Sequence, residues 1–161
     1  MTSIWGPYFR VQYRIIRLLE PLVRLAWRGF GPWLEPVVEL RVRGRRTGRE
    51  RRLLLTSLAL DGRRYIGHPN GDTAWTRNLD AAPSAEIADR HGRANAVTAV
   101  RLPPGEERTR VIVATARLQP VPGNLVYRLA RAHILKAGAY FRLEPAPEPR
   151  PAGVSPTPPA G

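Results

Sequence analysis

The spacing of the apolar residues changes near residue 38 from a helical to a strand period, and this change limits the possible folds more than any other feature. In residues 38–43, Val-Glu-Leu-Arg-Val-Arg, apolar and charged residues alternate strictly, as they do in a half-buried strand. Further strands are predicted at residues 53–60, 63–68, 85–89, 94–102 and 140–143. Asp61-Gly62 is a hairpin signal between two of them, so we expect an antiparallel sheet.

Helical signals stand between these strands. Thr73 is placed to cap a short helix that contains Trp75, Asn78 and Leu79 and ends before Pro83. Prolines followed by acidic residues at 103–107 open a second helix, and another is predicted over 124–137. This order of elements favours a mainly β (α+β) fold, a small antiparallel barrel with flanking helices, over an alternating βαβ arrangement.

A basic amphipathic helix is predicted from about Trp5 to Phe30. Five arginines spaced 4, 3, 7 and 4 residues apart share one face of it: Arg10, Arg14, Arg17, Arg24 and Arg28. Pro21 is expected to kink or restart the helix. Such a helix either packs on the domain with its arginines in water or lies on an anionic membrane surface.

The chain is expected to divide into three parts. Residues 1–35 form the N-terminal amphipathic basic segment, residues 36–145 form the barrel, and residues 146–161 form a proline-rich disordered tail. No run of apolar residues is long enough to span a membrane, and arginines interrupt any signal-peptide core. We therefore expect a cytoplasmic protein, with possible peripheral contact at the inner face of the membrane.

Composition and motifs exclude several kinds of chemistry. The chain has no cysteine, which rules out disulfides, cysteine-ligated metals and thiol nucleophiles. Its three histidines, His68, His91 and His133, lack metal-ligand spacing, so no metal site is expected. There is no nucleophile elbow, phosphate-binding P-loop or dinucleotide fingerprint. An enzyme built from this chain would need a cofactor to supply the reactive group.

Positive charge is concentrated in one short segment. The chain carries a formal charge of +13, and seven arginines fall within residues 41–52, around the turn Gly-Arg-Arg-Thr-Gly at 44–48. Backbone N–H groups of a glycine-bounded turn, a threonine hydroxyl and guanidinium groups together suit a phosphate. A hairpin tip whose charges face water is the alternative that this spacing leaves open.

Two ordered motifs together resemble a known family. G-R-R-T-G-x-x-R at residues 44–51, followed after a hairpin and a glycine-containing loop by W-x-x-N-L-x-A-x-P at 75–83, resembles the deazaflavin-dependent nitroreductase and quinone reductase family. The resemblance covers about residues 39–87. It implies a split β-barrel that uses coenzyme F-420 (8-hydroxy-5-deazaflavin) in preference to FMN.

The resemblance also implies site residues. For the phosphate-binding turn these are Arg46, Thr47, Arg49 and Arg51; for the segment beside the deazaflavin ring and its linker they are Gly71, Trp75, Asn78 and Leu79; for the substrate pocket they are His68, Tyr127 and Tyr140. No catalytic side chain is assigned. The loop before Trp75 is shorter than is usual in the family, and Thr76 replaces the aromatic residue that usually follows the tryptophan.

Three functional hypotheses follow. The first is an oxidoreductase that transfers a hydride from the reduced deazaflavin to a quinone, a nitro compound or a similar unsaturated acceptor. The second is a non-catalytic deazaflavin- or flavin-binding protein with the same fold. The third, a basic nucleic-acid-binding domain, ranks last because no nucleic-acid motif is present and aromatic residues are not interleaved with the arginines. We therefore expect no nucleic-acid partner.

Overall fold

The fold was analysed in a computed structural model, which describes residues 4–29, 36–71, 73–119 and 121–147. The elements are α1 (Trp5–Gly29), β1 (Val37–Arg43), β2 (Glu50–Leu60), β3 (Arg63–His68), α2 (Ala74–Ala81), β4 (Ser84–Ala88), β5 (Ala94–Arg101), α3 (Glu106–Leu118), α4 (Gly123–Leu129), α5 (Arg131–Ala137) and β6 (Ala139–Pro145). Each strand predicted from the sequence is present, with ends that differ by three residues or fewer. The proline-rich tail predicted at 146–161 lies almost wholly outside the described residues.

The six strands form a closed barrel in the order β1-β2-β3-β6-β5-β4, in which β4 returns to pair with β1. Every pairing is antiparallel, and the β1–β2 register sets Leu40 opposite Leu53. The predicted antiparallel barrel with flanking helices is therefore confirmed. Because the sheet closes, none of the described strands is left with an unpaired edge along it.

Alternate residues of the strands and two residues of α2 fill the barrel interior. The interior cluster is Leu40, Val42, Ile66, Trp75, Leu79, Ala85, Ile87, Val97, Ala99, Ala139, Phe141 and Leu143. Trp75 and Leu79 lie four positions apart on one face of α2, so the helix inserts both into the barrel. The ring centroids of Trp75 and Phe141 lie 5.9 Å apart.

A second core lies outside the barrel wall, where the helices cover it. Phe9 from α1, Ile112 from α3 and Ile134 from α5 pack there against Leu58 and Tyr140. Phe9 is only 2% exposed, so α1 is packed on the domain at this end. At the other end of α1, the indole Nε1 of Trp27 donates a hydrogen bond to the carbonyl oxygen of Val37 over 3.1 Å.

The alternation in β1 predicted that Glu39 would face water, but the structure buries it. Glu39 is 3% exposed beneath α1, where its carboxylate accepts hydrogen bonds from Arg24 and from Nε of Arg41, the latter at 2.9 Å. Burial acts to raise the pKa of Glu39, but the two guanidinium groups outweigh it and hold that pKa below its usual value. Glu39 is buried because α1 covers it, and the periodicity of a strand cannot reveal a helix that packs over it.

Of the kink or restart expected at Pro21, the structure excludes the restart, because α1 is continuous from Trp5 to Gly29. A second helix prediction is wrong. The helix predicted over 124–137 is instead two helices, α4 and α5, which meet at the fully buried Ala130. Ala130 has φ −81° and ψ 3°, which is outside the α-helical range and separates the two helices. The predicted helix start at Thr73 is confirmed.

Candidate functional site

The arginine turn, residues 44–49 between β1 and β2, has a well-defined backbone. Gly44 N–H donates to the carbonyl oxygen of Arg49 at 2.9 Å, and Gly48 N–H donates to the carbonyl oxygen of Gly44 at 2.8 Å. Gly48 has a φ of +65°, in the left-handed region that favours glycine. A Cβ added to Gly44 would lie 3.2 Å from Oγ1 of Thr47, so glycine lets the threonine fold back against the turn.

The start of α2 lies against this turn. The side-chain oxygen Oδ1 of Asn78 accepts a hydrogen bond from the backbone N–H of Arg45 over 3.2 Å, and Asn78 is 7% exposed. The helix start is itself braced, because Oγ1 of Thr76 accepts the N–H of Thr73 at 3.2 Å and donates to the carbonyl oxygen of Gly71 at 2.5 Å. Asn78 is thus held in place on the helix that faces the turn.

Together these elements form a basic cavity of about 390 Å³, which we call the arginine pocket. It is lined by Gly44, Arg45, Arg46, Thr47, Arg51, Ala74, Arg77 and Asn78. Four of these eight residues are arginines, and none of the described lining residues is acidic. Guanidinium groups beside a threonine hydroxyl form a donor set that matches phosphate or carboxylate oxygens.

A longer cavity of about 560 Å³, the outer groove, shares Arg51, Ala74 and Asn78 with the arginine pocket. Its walls come from α1, from β2 and from α2, which contributes Trp75. Charged residues at its edge include Arg17 and Glu50, whereas Leu53–Leu55 form an apolar wall. A groove of this size is typical of small-molecule and cofactor sites. The basic pocket therefore adjoins a groove able to hold a ring system.

A third cavity, the inner cavity, has a volume of about 180 Å³ and adjoins the outer groove at Tyr13, Ile16 and residues 54–56. His68 and Tyr127 line it. Burial lowers the pKa of His68 to about 4 and raises the pKa of Tyr127 to about 12, so both side chains are neutral at pH 7.

The structure brings some of the expected site residues together and separates others. Arg46, Thr47, Arg51 and Asn78 line the arginine pocket, and Trp75 lines the outer groove although it is 2% exposed. Arg49 is exposed on the turn outside both sets of lining residues.

Three further residues expected at the site lie in packed surroundings. Leu79 is in the barrel interior, and Tyr140 is in the second core, 1% exposed. A Cβ added to Gly71 would lie 2.0 Å from the carbonyl oxygen of Ala137, so that glycine is needed for close packing against the end of α5. The structure thus gives each of them a packing role.

Sequence reasoning missed the contribution of α1 to the site. Tyr13, Ile16 and Arg17 line the outer groove from the N-terminal helix, and no motif marks them. Arg45 and Arg77 also line the arginine pocket but were not predicted as site residues, although each is next in the chain to a predicted one. For Arg77 the signal was available, since it precedes Asn78 on a helix already placed at the site.

An antiparallel six-stranded barrel with flanking helices defines the class: split β-barrel proteins. The F420H(2)-dependent quinone reductase family model matches residues 25–127, which is more than half of the chain. The chain belongs to this family of oxidoreductases. No curated protein matches it closely enough to be called a relative.

Two solved structures, each with a TM-score of 0.51, support the same fold. A pyridoxamine 5′-phosphate oxidase-related, FMN-binding protein from Nostoc punctiforme is similar with a TM-score of 0.51 at 12% identity, over 78% of this chain and 79% of that one. A conserved hypothetical protein, Rv2991, from Mycobacterium tuberculosis has a TM-score of 0.51 at 13% identity, over 80% and 81%. A reductase described as F420-H2 dependent, FDR-A, has a TM-score of 0.49 at 21% identity, over 68% and 94%.

Proposed function

We propose that this protein is an oxidoreductase that binds reduced coenzyme F-420 and reduces a quinone, a nitro compound or a similar unsaturated acceptor. The single observation that carries the proposal is the hydrogen bond from Arg45 to Asn78. It joins the two family motifs at the place where the arginine pocket meets the outer groove. The family membership of the chain supports the same reaction class.

The arginine pocket suits the anionic part of the coenzyme, which carries a phosphodiester and a glutamate tail. Arg46, Arg51 and the hydroxyl of Thr47 offer donors to phosphate oxygens, and the absence of acidic side chains among the described lining residues leaves their charge undiminished. The +13 charge of the whole chain would also attract a multiply charged anion from solution.

The outer groove suits the ring system. Leu53–Leu55 and Trp75 form its apolar side, and Tyr13 and Ile16 of α1 cover it from above the barrel. The coenzyme, when bound, supplies the hydride. The chain's own contribution would then be to orient the ring and the acceptor and to keep water from the reacting face. A chain that only orients the coenzyme and the acceptor needs no catalytic side chain, which agrees with the lack of a recognisable catalytic motif in the sequence.

The test is a fluorescence titration of the full chain with oxidised coenzyme F-420, run beside FMN and a random DNA duplex. We expect saturable binding of F-420, weaker binding of FMN, and no salt-resistant binding of the duplex. Turnover with the reduced coenzyme and a set of quinones and nitro compounds then separates an enzyme from a non-catalytic binder. Preferred binding of FMN or DNA would contradict the proposal at its first step.

We further propose that α1 makes a peripheral contact with a membrane and lies on the anionic inner face of that membrane. Five apolar residues form a stripe on α1 with spacings of 4, 3, 4 and 3: Val11, Ile15, Leu18, Leu22 and Leu25, each more than half exposed. Exposed arginines, Arg10, Arg14 and Arg17, flank the stripe. No helix of the described residues is long and apolar enough to cross a bilayer.

This arrangement is typical of a helix that lies in the membrane interface, with apolar side chains in the lipid and cations beside the headgroups. The opposite face of α1 carries Phe9 and Trp27, which are buried against the domain. The same helix also lines the outer groove through Tyr13 and Ile16. A lipid-soluble acceptor would therefore meet the protein close to its proposed site.

A further inference from the structure

The helices α3, α4 and α5 form a separate cavity of about 450 Å³, which we call the helix groove. Its lining includes Ile112, Ala116 and Arg117 of α3, Tyr127 and Arg128 of α4, and Arg131 of α5. It shares no residue with the arginine pocket or the outer groove, and of the inner cavity it shares only Tyr127. The helix groove is therefore distinct from the site proposed for the coenzyme.

The positive charge of the helix groove is not balanced by acidic side chains. Arg117 stands in the last turn of α3, Arg128 in the last turn of α4 and Arg131 at the start of α5. None of the three forms an ion pair with a described residue. The sequence gives the reason, because residues 108–143 contain seven arginines and lysines and no aspartate or glutamate. Three guanidinium groups thus line one cavity without a described counter-ion.

The deeper part of the helix groove is apolar. Ile112 is 2% exposed and belongs to the second core, and Val113 and Ala116 are half-buried on the same helix. Burial raises the pKa of Tyr127 to about 12, so its phenol is uncharged at pH 7. The three arginines are exposed. Apolar side chains below exposed guanidinium groups suit a ligand that has an anionic end and an apolar body.

The number of cations favours a phosphate monoester over a carboxylate. A phosphate monoester carries a charge of about −1.5 to −2 at pH 7, and its terminal oxygens accept from several guanidinium groups at once. A carboxylate carries a single charge, and one guanidinium group can satisfy both of its oxygens. The amide of Asn124 lines the same cavity and adds a neutral donor. The volume of about 450 Å³ is typical of small-molecule sites, so an aromatic ring fits beside the phosphate.

We propose that the helix groove binds a phosphate monoester of an apolar alcohol. Its phosphate would lie among Arg117, Arg128 and Arg131, and its hydrocarbon part would contact Ile112 and Tyr127. The phosphate of the proposed coenzyme is a diester, so the two ligands differ in charge and in shape. Because the groove shares no residue with the arginine pocket or the outer groove, this binding does not depend on the proposed function.

Calorimetry on the full chain without coenzyme tests the ligand class. The probes are 1-naphthyl phosphate, its methyl diester, 1-naphthol and inorganic phosphate. We expect the monoester to bind at least about tenfold more tightly than each of the others, because only the monoester joins a dianion to an apolar ring. Equal binding of inorganic phosphate would overturn the proposal, since arginines that attract any anion would explain it. Equal binding of the diester would overturn the choice of a monoester.

Charge variants assign the binding to the helix groove. Arg117→Gln with Arg131→Gln should weaken binding of 1-naphthyl phosphate by at least about tenfold, because it removes one charged donor from α3 and one from α5. Arg43→Gln with Arg64→Gln is the matched control: both arginines are exposed and line none of the cavities described above, so the wild-type affinity should remain. Equal losses in the two double variants would overturn the proposal.

A variant that keeps every charge tests the cavity itself. Ala116→Phe places a ring in the helix groove and should weaken binding of 1-naphthyl phosphate by at least about tenfold, since the ligand then lacks space. Ala132→Phe adds the same ring at an exposed position of α5 outside the lining and should bind as the wild type. Full affinity in Ala116→Phe would overturn the proposal. A melting curve confirms that each variant is folded.

Two further measurements separate the helix groove from other sites. In a ¹³C-methyl spectrum of the wild type, 1-naphthyl phosphate should shift the resonances of Ile112 and Val113 and leave those of Leu53 in the outer groove unchanged. Shifts at Leu53 alone would place the ligand in the proposed coenzyme site and overturn the proposal. If Arg117→Gln with Arg131→Gln changes a dimer to a monomer in analytical ultracentrifugation, a second copy of the chain occupies the groove, and the proposal is likewise overturned.

Discussion

The side-chain oxygen of Asn78 accepts the backbone N–H of Arg45 over 3.2 Å, which joins two residues that lie 33 positions apart. One stands on α2 and the other on the arginine turn. The bond ties the arginine turn to α2 through a buried amide. Buried side-chain hydrogen bonds to backbone groups restrict loop conformation because the unpaired N–H would be costly. Coenzyme affinity should therefore depend on Asn78 as well as on the arginines.

Replacing Arg46 and Arg51 together with alanine should weaken binding of oxidised F-420 by about 10-fold to 100-fold, since each removes a charge-assisted donor. Both side chains are exposed, so thermal stability should change little. Fluorescence titration and a melting curve measure the two effects. Arg64→Ala with Arg117→Ala removes the same charge from exposed sites outside the arginine pocket and should keep the wild-type affinity. Equal losses of F-420 affinity in both double variants would show that overall charge, and not the arginine pocket, causes the effect.

Asn78→Ala should lower both F-420 affinity and stability, because it releases the arginine turn and leaves the N–H of Arg45 without its acceptor. We expect a loss of about 1 kcal/mol in the free energy of unfolding and a several-fold loss of affinity. Asn95→Ala, at an exposed position on β5, is the control for both measurements. An Asn78 variant with full affinity would show that the turn is positioned without it.

Gly71→Ala should destabilise the fold strongly, by about 2–4 kcal/mol, because the new Cβ would lie 2.0 Å from the carbonyl oxygen of Ala137 at a φ of +49°. Gly48→Ala separates the two causes. Gly48 also has a positive φ, +65°, but no atom lies within 4 Å of the added Cβ, so only about 1 kcal/mol should be lost. Denaturant unfolding measures both values. Equal losses would mean that backbone strain alone is responsible at Gly71.

His68 should make the protein less stable as the pH falls from about 6.5 to about 4. Its folded-state pKa is lowered to about 4, so in this window the unfolded chain binds a proton that the folded chain does not. The linkage amounts to about 3 kcal/mol across the window. In His68→Gln this component should disappear, whereas exposed His91→Gln should keep it. Urea unfolding at pH 7 and pH 4 measures the free energy of unfolding of each variant. If that free energy falls equally with pH in the wild type and in His68→Gln, His68 is not the cause.

Replacing Leu18 and Leu22 with glutamate should reduce sedimentation with vesicles of phosphatidylglycerol and phosphatidylcholine by more than about tenfold. Each leucine buries apolar surface worth about 2 kcal/mol when it enters lipid. Leu125→Glu with Leu129→Glu is a matched control on α4, since both leucines are more than half exposed there. Vesicles of phosphatidylcholine alone should bind the wild type more weakly. If the double variant instead changes a dimer to a monomer in analytical ultracentrifugation, a second copy of the chain covers the stripe.

Much of the local structure could be predicted from the sequence because its causes lie within a few residues. Alternation along β1, Thr73 at the start of α2 and the glycines of the arginine turn each act on neighbouring backbone atoms. The order of strands and the two spaced motifs then indicated the barrel and the family. Arg46, Thr47, Arg51 and Asn78 were expected at one site, and they line one pocket.

The tertiary structure decided which surfaces are covered. Glu39 occupies a polar position of the strand pattern. It is nevertheless buried, because α1 covers it and supplies Arg24 as its partner. Tyr140 and Leu79 belong to packed cores, while Tyr13 of α1 lines the groove. These outcomes depend on contacts between segments far apart in the chain. Periodicity records which residues share a face of one element, but burial of that face is set by whichever other element packs against it.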